Sequence, residues 1–76
     1  MKIEVKLYGS LKKYAPEDKT NFSLTLTPGT TVEVAITELG IPPDAHVSLI
    51  NGRHATKETP LKNDVTLVLY PPVAGG

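Results

Sequence analysis

Apolar and polar residues alternate strictly over KIEVKLY, Lys2 to Tyr8: Ile3, Val5 and Leu7 fall on one side, Lys2, Glu4, Lys6 and Tyr8 on the other. A period of two predicts a strand with one buried face. Gly9 and Ser10 interrupt it, and LKKY fits a helical turn ahead of Pro16. After the polar run PEDKT the alternation returns in NFSLTLT, with Phe22, Leu24 and Leu26 inward and Ser23, Thr25 and Thr27 outward. This second strand is expected to run antiparallel to the first. The period then lengthens. Val32, Ala35, Ile36 and Leu39 make a helical stripe. Pro28-Gly29 turns the chain into this helix, and Thr30 is the expected N-cap with Glu33 as its reciprocal partner. Gly40 and then Pro42-Pro43 end it.

Val47–Ile50 is a short third strand, and Asn51-Gly52 is a strong hairpin signal that returns Arg53–Ala55 as a fourth. Thr59-Pro60-Leu61 is a loop that drops Leu61 into the core. Lys62-Asn63-Asp64 turns, with Asn63 expected in the tolerant backbone position. VTLVLY then puts Val65, Leu67 and Leu69 on one face and Thr66, Val68 and Tyr70 on the other. Strand, strand, helix, short strand pair, strand is an α+β order. With the first and last strands side by side through a helical crossover, it predicts a β-grasp, the ubiquitin-like arrangement. The expected domain spans 1–70: a mixed sheet of four to five strands packed on one main helix. Residues 71–76 form an extended C-terminal tail.

Composition narrows the function. A chain of 76 residues makes one domain, and such a small core leaves little room for an internal polar cleft. Chemistry is therefore expected at the surface or at an end. There is no cysteine, hence no disulfide, thiolate metal site or cysteine nucleophile. Eight basic and eight acidic residues cancel and are interspersed, which argues against nucleic acid as a partner. No apolar stretch is long enough to span a membrane, and the N-terminus lacks the apolar block of a signal peptide, so the expected location is the cytoplasm. His46 and His54 have no carboxylate or cysteine at metal-ligand spacing, and Arg53, Lys57 and Lys62 fit solvated charge. Gly9, Gly29, Gly40 and Gly52 have turn or cap duties and do not form a phosphate loop. Neither a metal site, a bound cofactor nor a catalytic constellation is expected.

The end of the chain, LYPPVAGG, is the unusual part. Pro71-Pro72 favours a stiff, extended exit from the sheet. At about 3.1 Å per residue the tail could reach roughly 19 Å from the body. Gly75 and Gly76 carry no Cβ and can thread a narrow channel. The terminal carboxylate of Gly76 is ionised at neutral pH. A Gly-Gly end in isolation would be an ordinary frayed terminus. Pro-Pro-Val-Ala ahead of it, on a β-grasp pattern, changes that reading.

With these residues in place the chain resembles the MoaD/ThiS sulfur-carrier family. The likeness covers essentially the whole chain: KIEVKLYGSLKKY, PGTTVEVAITEL, LINGRHA and LYPPVAGG. An aromatic followed by Pro-Pro-Val-Ala-Gly-Gly is closer to the MoaD side, the small subunit of molybdopterin synthase, than to the thiazole-forming ThiS side. One departure is Lys62-Asn63-Asp64 where the family usually has Asp-Gly-Asp. The resemblance implies that Gly76 is the reacting residue. A MoeB/ThiF-like adenylating enzyme, using ATP, would activate it, and a partner's persulfide would convert it to a thiocarboxylate. Pro71, Pro72, Val73, Ala74 and Gly75 would thread into partners. The acceptor would be a cyclic pterin precursor bound by a MoaE-like large subunit of molybdopterin synthase, or a thiazole synthase would be served instead. The protein would then be a sulfur-carrying subunit with no active site of its own. A ubiquitin-like modifier joined to lysines through Gly76 shares the activation chemistry and stays open. So does a plain interaction domain that makes no use of its terminus. Tyr8, Val68 and Tyr70 share the outward parity of two neighbouring strands beside the tail. The family binds partners through that face, which makes them the expected docking patch.

Overall fold

The alternating segments form five strands in one sheet. In the computed structural model, which describes residues 1–16, 19, 21–42 and 47–71, these are β1 (Lys2–Leu7), β2 (Asn21–Thr25), β3 (Val47–Ile50), β4 (Arg53–Ala55) and β5 (Thr66–Tyr70). Their order across the sheet is β2-β1-β5-β3-β4. β1 and β5 pair in parallel at the centre; the other pairings are antiparallel. The expected neighbourhood of first and last strands is thus present. One α-helix, α1 (Val32–Leu39), supplies the stripe predicted for it, with Val32, Ala35 and Ile36 buried. Ile3, Val5 and Leu7 of β1 and Leu67 and Leu69 of β5 are buried in the same cluster, together with Leu26, Ile41 and Leu61. LKKY belongs to a 3-10 helix, Gly9–Tyr14, that buries Leu11.

The helix starts one residue later than the sequence suggests. Thr31, not Thr30, is the N-cap, its hydroxyl accepting from the Val34 amide at 3.5 Å. The Thr30 hydroxyl instead donates to the Thr27 carbonyl at 2.6 Å, which ties it to the Pro28-Gly29 turn. The third helical position therefore holds Val34, so Glu33 has no reciprocal role, although its charge still suits the positive end of the helix. The remaining amides of the first turn find partners in the loop before β5. Val32 donates to the Thr59 carbonyl and Glu33 to that of Lys57, at 3.0 and 2.9 Å, while Leu61 donates to Thr30 at 2.8 Å. This exchange holds Leu61 in the core, as predicted. At the other end Gly40 is left-handed (φ 80°), and Ile41 donates back to the Ile36 carbonyl while its side chain is buried. This is the expected glycine stop with its apolar contact.

The β3–β4 turn has positive φ at both central residues, Asn51 (50°) and Gly52 (84°), as the dipeptide predicted. The turn before β5 differs from expectation. Its left-handed residue is Asp64 (φ 67°), not Asn63. Asn63 is held by a distant partner: its Oδ1 accepts from the Lys2 amide at 2.8 Å, and the Asp64 amide donates to the Lys2 carbonyl at 2.8 Å.

Candidate functional site: the outer sheet face and the root of the tail

Because β1 and β5 are parallel, both leave the sheet at the same end. Their register pairs Lys6 with Val68 and Leu7 with Leu69. The Tyr8 amide extends the pairing by donating to the Leu69 carbonyl at 3.0 Å. Leu7, Leu67 and Leu69 are buried against the helix side, so Val68, Tyr70 and Tyr8 take the opposite face. Tyr8 is 48% exposed; Val68 and Tyr70 are half-buried. The three residues expected to form a patch are thus brought together beside the chain leaving β5.

Two more residues belong to this face. β3 pairs Val47 with Tyr70 and Leu49 with Val68. Cross-strand partners point the same way, so Val47 and Leu49 widen the apolar area. The sequence concealed them because polarity and direction disagree in this strand: Ser48, the polar residue, turns inward and is 3% exposed, opposite Leu69. The usable signal was alternation. β3 can contribute Ile50 to the core opposite Leu67 only if Val47 and Leu49 face outward. Lys6 beside Val68 and His54 opposite Leu49 give the patch a polar rim. An apolar area with polar edges has the character of a protein-docking surface.

Of the tail, Pro71 is described and is half-buried directly after β5. Pro72, Val73, Ala74, Gly75 and Gly76 lie outside the described residues, as does His46. Elsewhere, a shallow groove of about 580 Å³ lies at the other end of β5, between the β3–β4 hairpin and residues 59–62. Arg53, His54 and Lys62 are on its described lining, which holds no carboxylate to act as a general base. Among the described residues no cluster of three or more His, Cys, Asp or Glu could hold a metal ion. None of the described helices is long and apolar enough to cross a membrane.

This architecture recurs in solved structures. SAMP1 of Haloferax volcanii, a small archaeal modifier protein, is 24% identical over 100% of both chains with a TM-score of 0.77. A Pyrococcus furiosus protein described as molybdopterin converting factor, subunit 1, is 23% identical over 95% of this chain and 98% of that one, with a TM-score of 0.76. The complex of subunits 1 and 2 of the molybdopterin-converting factor of Helicobacter pylori contains a chain 25% identical over 100% of both, with a TM-score of 0.62. No curated protein matches in sequence. Residues 5–76, nearly the full length, match the ThiS family. The chain has a ubiquitin-like β-grasp fold, and the family match over nearly its whole length shows that it belongs to the ThiS family.

Proposed function

We propose that the chain carries sulfur as a thiocarboxylate on Gly76 and delivers it in molybdopterin formation. The observation that carries this reading is the extent of the family match, which runs through Pro-Pro-Val-Ala-Gly-Gly to residue 76. The carboxylate of Gly76 attacks the α-phosphorus of ATP in a MoeB/ThiF-like enzyme, releasing pyrophosphate and forming an acyl adenylate. The outer sulfur of a partner's cysteine persulfide then attacks the carbonyl carbon and expels AMP. A second thiol cleaves the resulting acyl disulfide, leaving the thiocarboxylate here and a disulfide on the partner. The sulfur next displaces an oxygen substituent from an acceptor carbon to form a thioester, and water hydrolyses that thioester, leaving a thiol on the acceptor and restoring the carboxylate. Through all of this the chain supplies a nucleophile and a handle. Both active sites belong to partners, and ATP binds to the activating enzyme.

The likeness to the Helicobacter pylori subunit supports a MoaE-like large subunit as the acceptor enzyme. The likeness to SAMP1 favours a second reading, conjugation of Gly76 to lysines of other proteins. Purification from cells of the chain bearing an N-terminal tag separates the two. The carrier reading predicts a stoichiometric complex with a synthase large subunit. Lysine-linked peptides carrying the tail residues, with no such complex, would replace it with the modifier reading.

The outer face is the proposed docking surface for both partners. Replacing Val68 and Tyr70 together by alanine is expected to weaken binding to the activating enzyme and the large subunit by about tenfold or more, since a few central apolar anchors dominate such interfaces. Titration calorimetry checks this. Unchanged affinity for both would remove the patch from the account.

A further inference from the structure

Among the described residues four glycines adopt positive φ: Gly9, Gly29, Gly40 and Gly52. Such a backbone does not by itself demand glycine, because asparagine and aspartate tolerate it. This chain uses both in that way, at Asn51 and Asp64. A Cβ built at Gly29, Gly40 or Gly52 would meet nothing within 4 Å. At Gly9 it would lie 2.9 Å from Cγ and 3.1 Å from Cδ of Pro71. By lacking a Cβ, Gly9 lets the Pro71 ring approach its backbone this closely. The contact follows from the topology. The two central strands are parallel and end together, so the turn leaving β1 meets the chain leaving β5.

We propose that Gly9 is a positioning residue: it forms the seat for the Pro71 ring and so sets the direction in which the tail leaves the domain. The proposal rests on the reading that Gly76 is the reacting end. The proline ring fixes its own φ, so a seated ring transmits its orientation to the residues that follow.

The test is Gly9→Asn, which keeps the left-handed backbone and adds the Cβ. The expected result with the activating enzyme is a loss in kcat for adenylation on the order of tenfold, because the ring must give way by about half an ångström, about half the misplacement that costs a hundredfold. KM should stay within about twofold, since the docking face is intact. In a Pro71→Ala background, which lacks Cγ and Cδ, the same change should cost less than about twofold. An unchanged kcat in the first case, or equal losses in both backgrounds, overturns the seat. A failure of the unaltered chain to be adenylated would instead overturn the carrier reading, and the seat is then decided by NMR. It requires cross-relaxation between the Gly9 Hα and Pro71 ring protons, and a shift of the Val73 amide in Gly9→Asn. Absence of either overturns it.

Discussion

Deleting Gly76 abolishes charging and leaves the domain folded. The truncated chain still ends in a carboxylate, but that group stops about one residue, roughly 3.1 Å, short of the place where the tail delivers it. Intramolecular-like attack loses about a hundredfold for a misplacement of about 1 Å. Adenylation by the activating enzyme should therefore fall by at least about a thousandfold. The thermal midpoint should change by no more than about 2–4 °C, the range of a surface change in a domain of this size. The buried cluster explains the indifference of the fold: its described members run from Ile3 to Leu69, and the sheet ends at Tyr70. Pyrophosphate release and a melting curve on the same sample check both halves. Normal charging of the truncated chain would remove Gly76 from the chemistry. Normal function without charging would favour a plain interaction domain.

The opposite pattern is expected for Leu67→Ala. Leu67 is fully buried in the central strand β5, with Val5 on one side in register and Ile50 on the other. Removing three carbons from such a site costs about 2–5 kcal/mol, the spread depending on how far the surroundings close on the cavity. A domain of this length has roughly 4–11 kcal/mol in total. The midpoint should then fall by roughly 10–30 °C, read by circular dichroism with a urea titration alongside. Charging below the lowered midpoint should persist, because no tail residue is altered. A fall of less than about 5 °C would contradict the packing described for β5. The contrast with Val68 is instructive, because that residue is adjacent in sequence and half-exposed on the outer face. Its truncation is expected to affect binding.

The sequence was most legible where a pattern repeats within one element. The period-two runs of β1 and β5, the stripe on α1, the Asn51-Gly52 turn and the Gly40 stop need no knowledge of neighbours. Each disagreement involves a distant contact or a competing local bond. Thr30 gives up the cap because its hydroxyl bonds to Thr27. Asn63 yields the left-handed position to Asp64 because Lys2, 61 residues away, engages its side chain. Val47 and Leu49 face outward because β3 must present Ser48 and Ile50 to the inner face. The duty of Gly9 beyond a turn follows only from the parallel alignment that brings Pro71 to it. In the candidate site, Tyr8, Val68 and Tyr70 were visible from parity alone. Beyond Pro71 the tail lies outside the described residues, and the role proposed for it rests on the chemistry of a terminal carboxylate.

The most direct measurement is mass analysis of the C-terminal peptide after incubation with the cognate activating enzyme, ATP and a sulfur donor. Exchange of one carboxylate oxygen for sulfur has nearly the same mass effect as oxidation of Met1, so the sulfur is trapped by alkylation before digestion. The account predicts an alkylated peptide ending in Gly76 that is absent when ATP is omitted. An unmodified C-terminal peptide, from enzyme and donor shown to charge another carrier, would contradict it.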